Sequence, residues 1–353
     1  MGVPLTQMLS VGAYITKERL RGNGRFPLVL MLEPLFRCNL SCSGCGKIDY
    51  PEEILKRRLG VSECLDAARE CGAPIVSIPG GEPLMHPEIG GIVEGLAEMK
   101  RFVYLCTNAV LLKRKLGLFR PSQYLTFSVH LDGFKERHDS IVGANGVFDK
   151  AVEAIGLAKE RGFRVTTNTT LFEDAQPRET ARFFDFVTGL GVEGMTVSPG
   201  FVYEKSRGKA FLSGDSVHEM FRALFQLGRG RGWSFNHSSL YLDFLAGNRN
   251  YRCTPWGNPT RNIFGWQRPC YLVAGGYARS YRELMEETDW EGWGTGVNPR
   301  CAGCMVHCGY EPTAVMDSIR NPLKAMLINV RGVNTKEPGA PPEARDKTPF
   351  FNR

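Results

Sequence analysis

An apolar run, Pro27-Leu28-Val29-Leu30-Met31-Leu32, is followed by three cysteines, Cys38, Cys42 and Cys45, at positions i, i+4 and i+7. No other stretch narrows the fold as far. The run reads as a buried strand and the cysteine stretch as the loop leaving its end. Three thiolates on one short loop can hold three corners of a cubane iron–sulfur cluster. With no fourth cysteine nearby, one iron is left open to a small molecule. Two plainer readings share the pattern, a structural zinc site and three unrelated core thiols.

A chain of 353 residues, 42% hydrophobic and 23% charged, is long enough for one large domain and a smaller one around an ample core. Eleven cysteines in a chain that shows no secretory signal point to a reducing compartment, the cytoplasm, and to metal ligation. No run of 18 apolar residues is present, so no spanning helix is expected. The net charge of +7 permits attraction to anionic lipid. The basic residues are scattered, without a Lys/Arg tract interleaved with aromatics, and a nucleic-acid partner is not expected.

From Pro27 onward strand and helix signals alternate. Strands are expected at 28–32, 75–78, 102–106, 125–130, 164–170 and 194–198, with helices between them at 62–70, 89–99, 149–161 and 179–188. Six β-α repeats with short loops imply an α/β fold with a parallel sheet and helices outside. A doubly wound sheet fits this order too. Polar or special residues at the C-terminal ends of several strands favour a partial (β/α)6 barrel. The chain divides into an N-terminal segment at 1–26, the barrel at 27–250, a cysteine-rich extension at 251–320 and a mostly flexible tail at 321–353, poor in apolar residues toward its end. In the first segment Leu5, Met8, Leu9 and Ile15 follow helical spacing, with Lys17, Arg19 and Arg21 after them. Such a helix either lies in a membrane interface or caps the base of the core.

The strand ends carry the chemistry. After the second strand come Gly80, Gly81, Glu82 and Pro83: paired glycines allow close approach of backbone to a ligand, and Glu82 is an acceptor for an ammonium group. A plain tight turn is the alternative. The third strand ends at Cys106, a thiol facing the expected active site, although a lone buried cysteine is often only a small hydrophobe. Ser128 and Asp132 on the fourth strand and Asn168 on the fifth offer hydroxyl, carboxylate and amide groups; structural capping accounts for any one of them equally well. Farther on, Cys253, Cys270, Cys301, Cys304 and Cys308 crowd five thiols into 56 residues, with His307 beside the last. Core packing does not explain that density. Zinc with His307 as a ligand, or thiols without metal, remain open beside an iron–sulfur cluster.

The Cys38/Cys42/Cys45 triplet and the Gly80-Gly81-Glu82-Pro83 segment together resemble the signature of the radical S-adenosylmethionine (SAM) superfamily. That resemblance implies an open (β/α)6 barrel, a [4Fe-4S] cluster on the triplet, and SAM bound through the open iron. It also implies that Glu82 and its neighbours hold the SAM amino group, with Ser128, Asp132 and Asn168 among the further SAM contacts. An external one-electron reductant such as flavodoxin or ferredoxin is implied as partner. The C-terminal thiols resemble the extension that carries an auxiliary iron–sulfur cluster in many members, although their spacing departs from the full seven-cysteine pattern. Superfamily members usually carry an aromatic residue just before the third cysteine, against adenine; Gly44 stands there instead, so the turn at 198–200 is expected to hold adenine, with added room for a coupled product.

Met31-Leu32-Glu33-Pro34-Leu35-Phe36-Arg37-Cys38, Tyr104-Leu105-Cys106-Thr107-Asn108-Ala109, residues 253–261 and residues 301–312 are similar to the adenosylhopane synthases of hopanoid biosynthesis. In that family an adenosyl radical adds to the exocyclic alkene of diploptene, and SAM is consumed as cosubstrate. The resulting tertiary carbon radical needs a hydrogen atom, a thiol is a good donor, and Cys106 is the barrel cysteine placed to serve; an insoluble triterpene further suggests a cytoplasmic enzyme that touches the inner membrane. A radical SAM enzyme that modifies a peptide or a base is the competing expectation.

Overall fold

The computed structural model describes residues 2–201, 211–212 and 214–336. Its strands are β1 (Val29–Glu33), β2 (Ile75–Ile78), β3 (Phe102–Thr107), β4 (Leu125–His130), β5 (Arg164–Leu171), β6 (Gly194–Pro199), β7 (Thr260–Asn262), β8 (Gly265–Pro269) and β9 (Ala274–Ala278). They form one sheet in the order β6-β5-β4-β3-β2-β1-β7-β8-β9. The first six run parallel, and the expected strands match them to within one residue at each end.

The period of two along each strand divides the side chains between two environments. Leu30, Leu32, Val76, Ile78, Leu105, Phe127 and Val129 are fully buried beneath the outer helices. Met31, Ser77, Tyr104, Cys106, Ser128 and Asn168 point the other way, into the lumen. The outer helices include α1 (Leu5–Leu20), α2 (Val61–Cys71), α3 (Ile89–Glu98), α4 (Lys135–Val142), α5 (Val147–Glu160) and α6 (Pro177–Gly189). α2 starts where the Glu63 carboxylate accepts from the Gly60 N–H at 2.8 Å, and stops at Gly72, whose φ of +72° suits glycine.

Three features depart from expectation. The extension continues the barrel sheet: β7 pairs parallel with β1, and β8 and β9 follow antiparallel, giving nine strands where six were expected. Helices α7 (Asp215–Leu227), α8 (Ser239–Leu245), α9 (Tyr281–Glu287) and α10 (His307–Arg320) fill the C-terminal half. The stretch read as a flexible tail begins with a helix, α11 (Pro322–Arg331), with proline in its first turn, where the missing N–H costs nothing. Residues 337–353 lie outside the described residues.

α1 closes the base of the barrel. The Tyr104 hydroxyl donates to Gln7 Oε1 at 3.0 Å, the Gly2 N–H donates to the Phe235 carbonyl at 3.3 Å, and Ile15 is buried. One face of α1 thus caps the core, while Leu5 and Leu9 on another face stay exposed. No described helix is long and apolar enough to cross a membrane.

Candidate functional site

Cys38, Cys42 and Cys45 stand in the loop leaving β1, half-buried and without disulfide partners. The loop is pinned by the Cys45 N–H on the Cys42 carbonyl at 3.0 Å and the Ser43 N–H on the Ile141 carbonyl at 2.9 Å. Burial, with the charges of Glu82 and Cys45 behind it, pushes the Cys38 thiol up to about 11. Burial and the other two thiols push Cys42 up to about 12. Thiolates that repel one another in a half-buried loop are stabilised by a cationic metal centre. Among the described residues no three metal-binding side chains converge as a single ion would need. A cubane places each thiolate on a different iron, so the donor set of this loop fits a cluster better than one zinc ion.

Just past the triplet, Lys47 Nζ lies 2.9 and 3.0 Å from the two carboxylate oxygens of Glu33, the last residue of β1 and fully buried. The ammonium also sits 4.8 Å from the Tyr271 ring centroid. This ion pair anchors the far end of the cysteine loop to its strand, and the cation–π contact reaches the neighbour of Cys270.

Gly80 and Gly81 serve a use other than the one expected. A Cβ on Gly81 would fall 2.1 Å from the Arg37 carbonyl oxygen, and one on Gly80 2.6 Å from that of Leu35. The Gly81 and Glu82 N–H groups donate to the Leu35 and Arg37 carbonyls at 3.0 and 2.9 Å. The paired glycines therefore lock the second strand end against the backbone that delivers Cys38. Pro83 opens the one-turn helix Pro83–Met85, capped by Glu82. Glu82 itself is buried, accepting from the Leu84 N–H at 3.0 Å, the Thr107 hydroxyl at 2.8 Å and the Asn108 N–H at 2.8 Å. Burial outweighs these bonds and raises its pKa to about 7. A carboxylate has about four acceptor sites, and three are filled, which leaves one for an ammonium donor.

In the lumen the Cys106 thiol lies 3.4 Å from the Ser77 hydroxyl, and Ser128 sits opposite it in register. Burial raises the Cys106 pKa and keeps the thiol protonated at neutral pH. Asn168 lies one strand over, paired with His130. Asp132 is placed differently from the expectation. It has no exposed side-chain surface, and its oxygens take His130 Nε2 at 2.6 Å and the Thr170 N–H at 2.7 Å. These contacts orient His130. Burial works against the His130 imidazolium, but the Asp132 charge and hydrogen bond overcome it and raise the pKa. His130 was passed over in the sequence, although it shares a face with Ser128.

Ser77, Cys106, Ser128 and Asn168 form the inner wall of a mostly apolar cavity of about 410 Å³. It starts among Leu28, Val29 and Ile75 at the N-terminal ends of the strands, opposite the cysteine loop. Its exposed lining residues are Met8 of α1, Ile319 of α10 and Asn329 of α11, so its mouth opens between those helices. Polar side chains interrupt the wall, among them Gln7, Asn236, Asn258 and a His237/Glu311 pair. His237 Nδ1 lies 3.3 Å from Glu311, and its ring is 5.7 Å from that of His307, which burial pulls down to about 3.

Gly44 faces a ring. A Cβ there would be 3.1 Å from Phe172, which follows β5 and lies 5.5 Å from the Phe211 ring. Phe211 in turn packs against Gly200, in the turn expected to hold adenine. The room expected from Gly44 is thus filled by Phe172, an aromatic from another strand end.

The five C-terminal thiols are gathered. Cys253, Cys270, Cys304 and Cys308 are all held above the ordinary thiol range by burial first, then Cys253, Cys304 and Cys308 by others of the group, with Cys301 contributing to Cys253, Cys270 and Cys304. None is in a disulfide. Cys301 and Cys308 are buried and Cys253, Cys270 and Cys304 half-buried. His307 lines the cavity, and its Nδ1 has no hydrogen-bond partner.

Comparison with known proteins agrees with this geometry. The model of the radical SAM superfamily matches residues 32–187, and one described as a domain of unknown function, DUF3463, matches 195–328. The GTP 3',8-cyclase of Aquifex aeolicus is 30% identical over 169 residues, 44% of this chain and 52% of that protein. The AdoMet-dependent heme synthase of Methanosarcina barkeri is 29% identical over 49% of this chain and 55% of that one. The chain spans about half the length, or less, of the first curated relatives it matches. Two solved structures share the fold. Streptococcus suis SuiB bound to S-adenosylmethionine has a TM-score of 0.57 at 18% identity, covering 70% of this chain and 61% of that one. Native anSMEcpe with bound AdoMet and Kp18Cys peptide has 0.55 at 16%, covering 86% and 99%.

Proposed function

We propose that this chain, whose residues 32–187 match the model of the radical SAM superfamily, is a radical SAM enzyme that joins the adenosyl group of SAM to the exocyclic alkene of diploptene, giving adenosylhopane. The observation that carries this reading is the cavity: a mostly apolar chamber with a protonated thiol, Cys106, at its inner end.

In this reading Cys38, Cys42 and Cys45 hold a [4Fe-4S] cluster. Glu82 takes the SAM ammonium with its remaining acceptor site, in the turn shaped by Gly80, Gly81 and Pro83. Ser128, Asn168 and the Asp132-held His130 face the rest of SAM. When bound, cluster and SAM supply an adenosyl radical by one-electron reduction. The lumen keeps water and stray hydrogen donors from it. Bond formation at the terminal alkene carbon leaves a tertiary carbon radical, and the Cys106 S–H gives that carbon its hydrogen atom. The thiyl left on Cys106 returns to a thiol with one electron and one proton. Two electrons and one proton thus balance the conversion of SAM and alkene to methionine and adduct. An external donor of the flavodoxin or ferredoxin kind supplies the electrons, in the cytoplasm. Cys253, Cys270, Cys301, Cys304 and Cys308 hold an auxiliary iron–sulfur cluster.

The test is anaerobic incubation with SAM, a reductant and diploptene, followed by mass spectrometry. An adduct carrying the adenosyl mass is expected. Release of 5′-deoxyadenosine with no adduct overturns the substrate. A second reading, modification of a peptide, is favoured by the thiol-rich extension and by partial likeness to the Bacillus subtilis antilisterial bacteriocin subtilosin biosynthesis protein AlbA, 28% identical over 43% of this chain.

A further inference from the structure

We infer that the rim of the cavity mouth docks onto an anionic phospholipid bilayer; the inference rests on the reading that the cavity takes an apolar alkene. α11 carries Leu323, Met326, Leu327 and Val330 at i, i+3, i+4 and i+7, exposed by 76, 63, 49 and 75%. The opposite side of the same helix, Ala325 and Ile328, packs on the core. A helix apolar on both sides has an unpartnered face, and a stripe of this kind on a surface marks an interaction site.

The stripe is not alone. Leu5 and Leu9 of α1 are exposed by 66 and 65%, and Ile319 at the end of α10 by 40%. Met8 and Ile319 belong both to these exposed apolar residues and to the cavity lining, which Asn329 of α11 joins, so the apolar surface adjoins the mouth of the chamber. Arg19 Nη2 lies 3.9 Å from Met316 Sδ, which fixes the end of α1 against α10 and makes the two lips one surface.

Charge selects the occupant. Helices α1 and α11 carry basic residues beside their apolar ones: Lys17, Arg19 and Arg21 beyond α1's apolar half, and Lys324 and Arg331 on α11, which has no acidic residue. On α1 the one acidic residue, Glu18, is bonded to Arg21 and Asn23 at 3.2 and 2.6 Å. Apolar side chains entering the acyl boundary, with basic residues at the headgroup level, make an interfacial anchor. A protein partner seated on the same stripe would close the mouth. A bilayer leaves it continuous with the phase in which a hydrocarbon substrate dissolves.

The test uses the full chain with vesicles of phosphatidylcholine alone or mixed with phosphatidylglycerol. Wild type is expected to float with the mixed vesicles, less at high salt. Leu323→Glu/Leu327→Glu, outside the cavity lining, is expected to lose partitioning by about tenfold or more, with an unchanged melting temperature. The double variant should turn over alkene dispersed in detergent as wild type does, and fall only when the alkene is embedded in vesicles. Equal flotation of variant and wild type overturns the inference. So does a wild-type dimer in light scattering that the double variant abolishes, because a second copy then covers the stripe. Flotation without any adenosyl adduct leaves the docking surface standing and removes the substrate reading; adduct formation without flotation does the reverse.

Discussion

Gly44 and Phe172 are in contact across the top of the barrel: any side chain at position 44 would meet the Phe172 ring within 3.1 Å. Phe172, from the end of β5, fills the space beside Gly44 that a side chain there would take. Gly44→Tyr should therefore overpack the site and weaken SAM binding. Overpacking typically costs about 1–3 kcal/mol, or roughly 5- to 150-fold in Kd. Phe172→Ala in the same chain should restore much of the loss. Calorimetric titration with SAM decides it; normal binding by the single variant removes the steric link.

Glu82 gives the site a pH signature. Its pKa of about 7 in the folded protein means that a growing fraction is neutral below neutrality. An ammonium ligand needs the carboxylate, so SAM affinity should rise as pH increases toward 7 and level off above it. The limiting slope at low pH is about tenfold per unit. For the protein without SAM the sign is opposite. A carboxyl whose pKa is raised on folding contributes stability below its ordinary value near 4.5 that is lost as pH climbs through about 7. Thermal melts with and without SAM from pH 5 to 8 should diverge as pH rises. Parallel curves would contradict the assignment.

Cys106→Ala should uncouple the two halves of the proposed reaction. SAM cleavage and 5′-deoxyadenosine release continue, while the saturated adduct falls by at least about tenfold, the low end of what one positioned donor contributes. Product analysis under anaerobic conditions reads both at once. Full adduct yield from the variant would assign the hydrogen to another donor.

Lys47→Met strands a buried carboxylate. With Lys47 gone, Glu33 is uncompensated at zero exposure, and breaking such a pair typically costs about 3–5 kcal/mol. Urea unfolding should show that loss, and Lys47→Met/Glu33→Leu should recover most of it. If the single variant is as stable as wild type, the pair does not anchor the loop.

For the C-terminal thiols, iron and acid-labile sulfide should exceed one [4Fe-4S] cluster per chain. Cys253→Ala/Cys308→Ala should bring the content down to one cluster, while Cys38→Ala leaves the second in place. One cluster in wild type, or zinc in its stead, would remove the auxiliary cluster.

β1 to β3 were legible as short, nearly continuous apolar runs, and β4 to β6 by β-branched residues and by apolar Leu125, Phe127, Val129, Val165, Met195 and Val197 alternating with polar neighbours. β7 and β9 were not. Thr260-Arg261-Asn262 and Ala274-Gly275-Gly276 have no alternation to read; β7 pairs on an edge that β1 leaves open far away in sequence, and β9 is added through β8. α11 has a clear helical stripe but sits beside a Pro-, Glu- and Lys-rich stretch that masked it. Cys38, Cys42, Cys45 and Glu82 could be found because spacing along one loop is a local property. Phe172 could not, since its contact with Gly44 joins two distant loops. Asp132 was misplaced for a geometric reason: β4 ends at His130, and strand alternation does not carry past that end.

The cavity mouth lies at the strand starts and the cysteine loop at the strand ends, and that separation has a kinetic consequence. Two ligands that arrive through different doors need not wait for each other. A bulky apolar molecule entering between α1 and α11 leaves the route to Cys38, Cys42 and Cys45 clear, so binding should follow random order. Dissociation of a long, joined product is then the step that must empty both ends, and it is the natural bottleneck of the cycle.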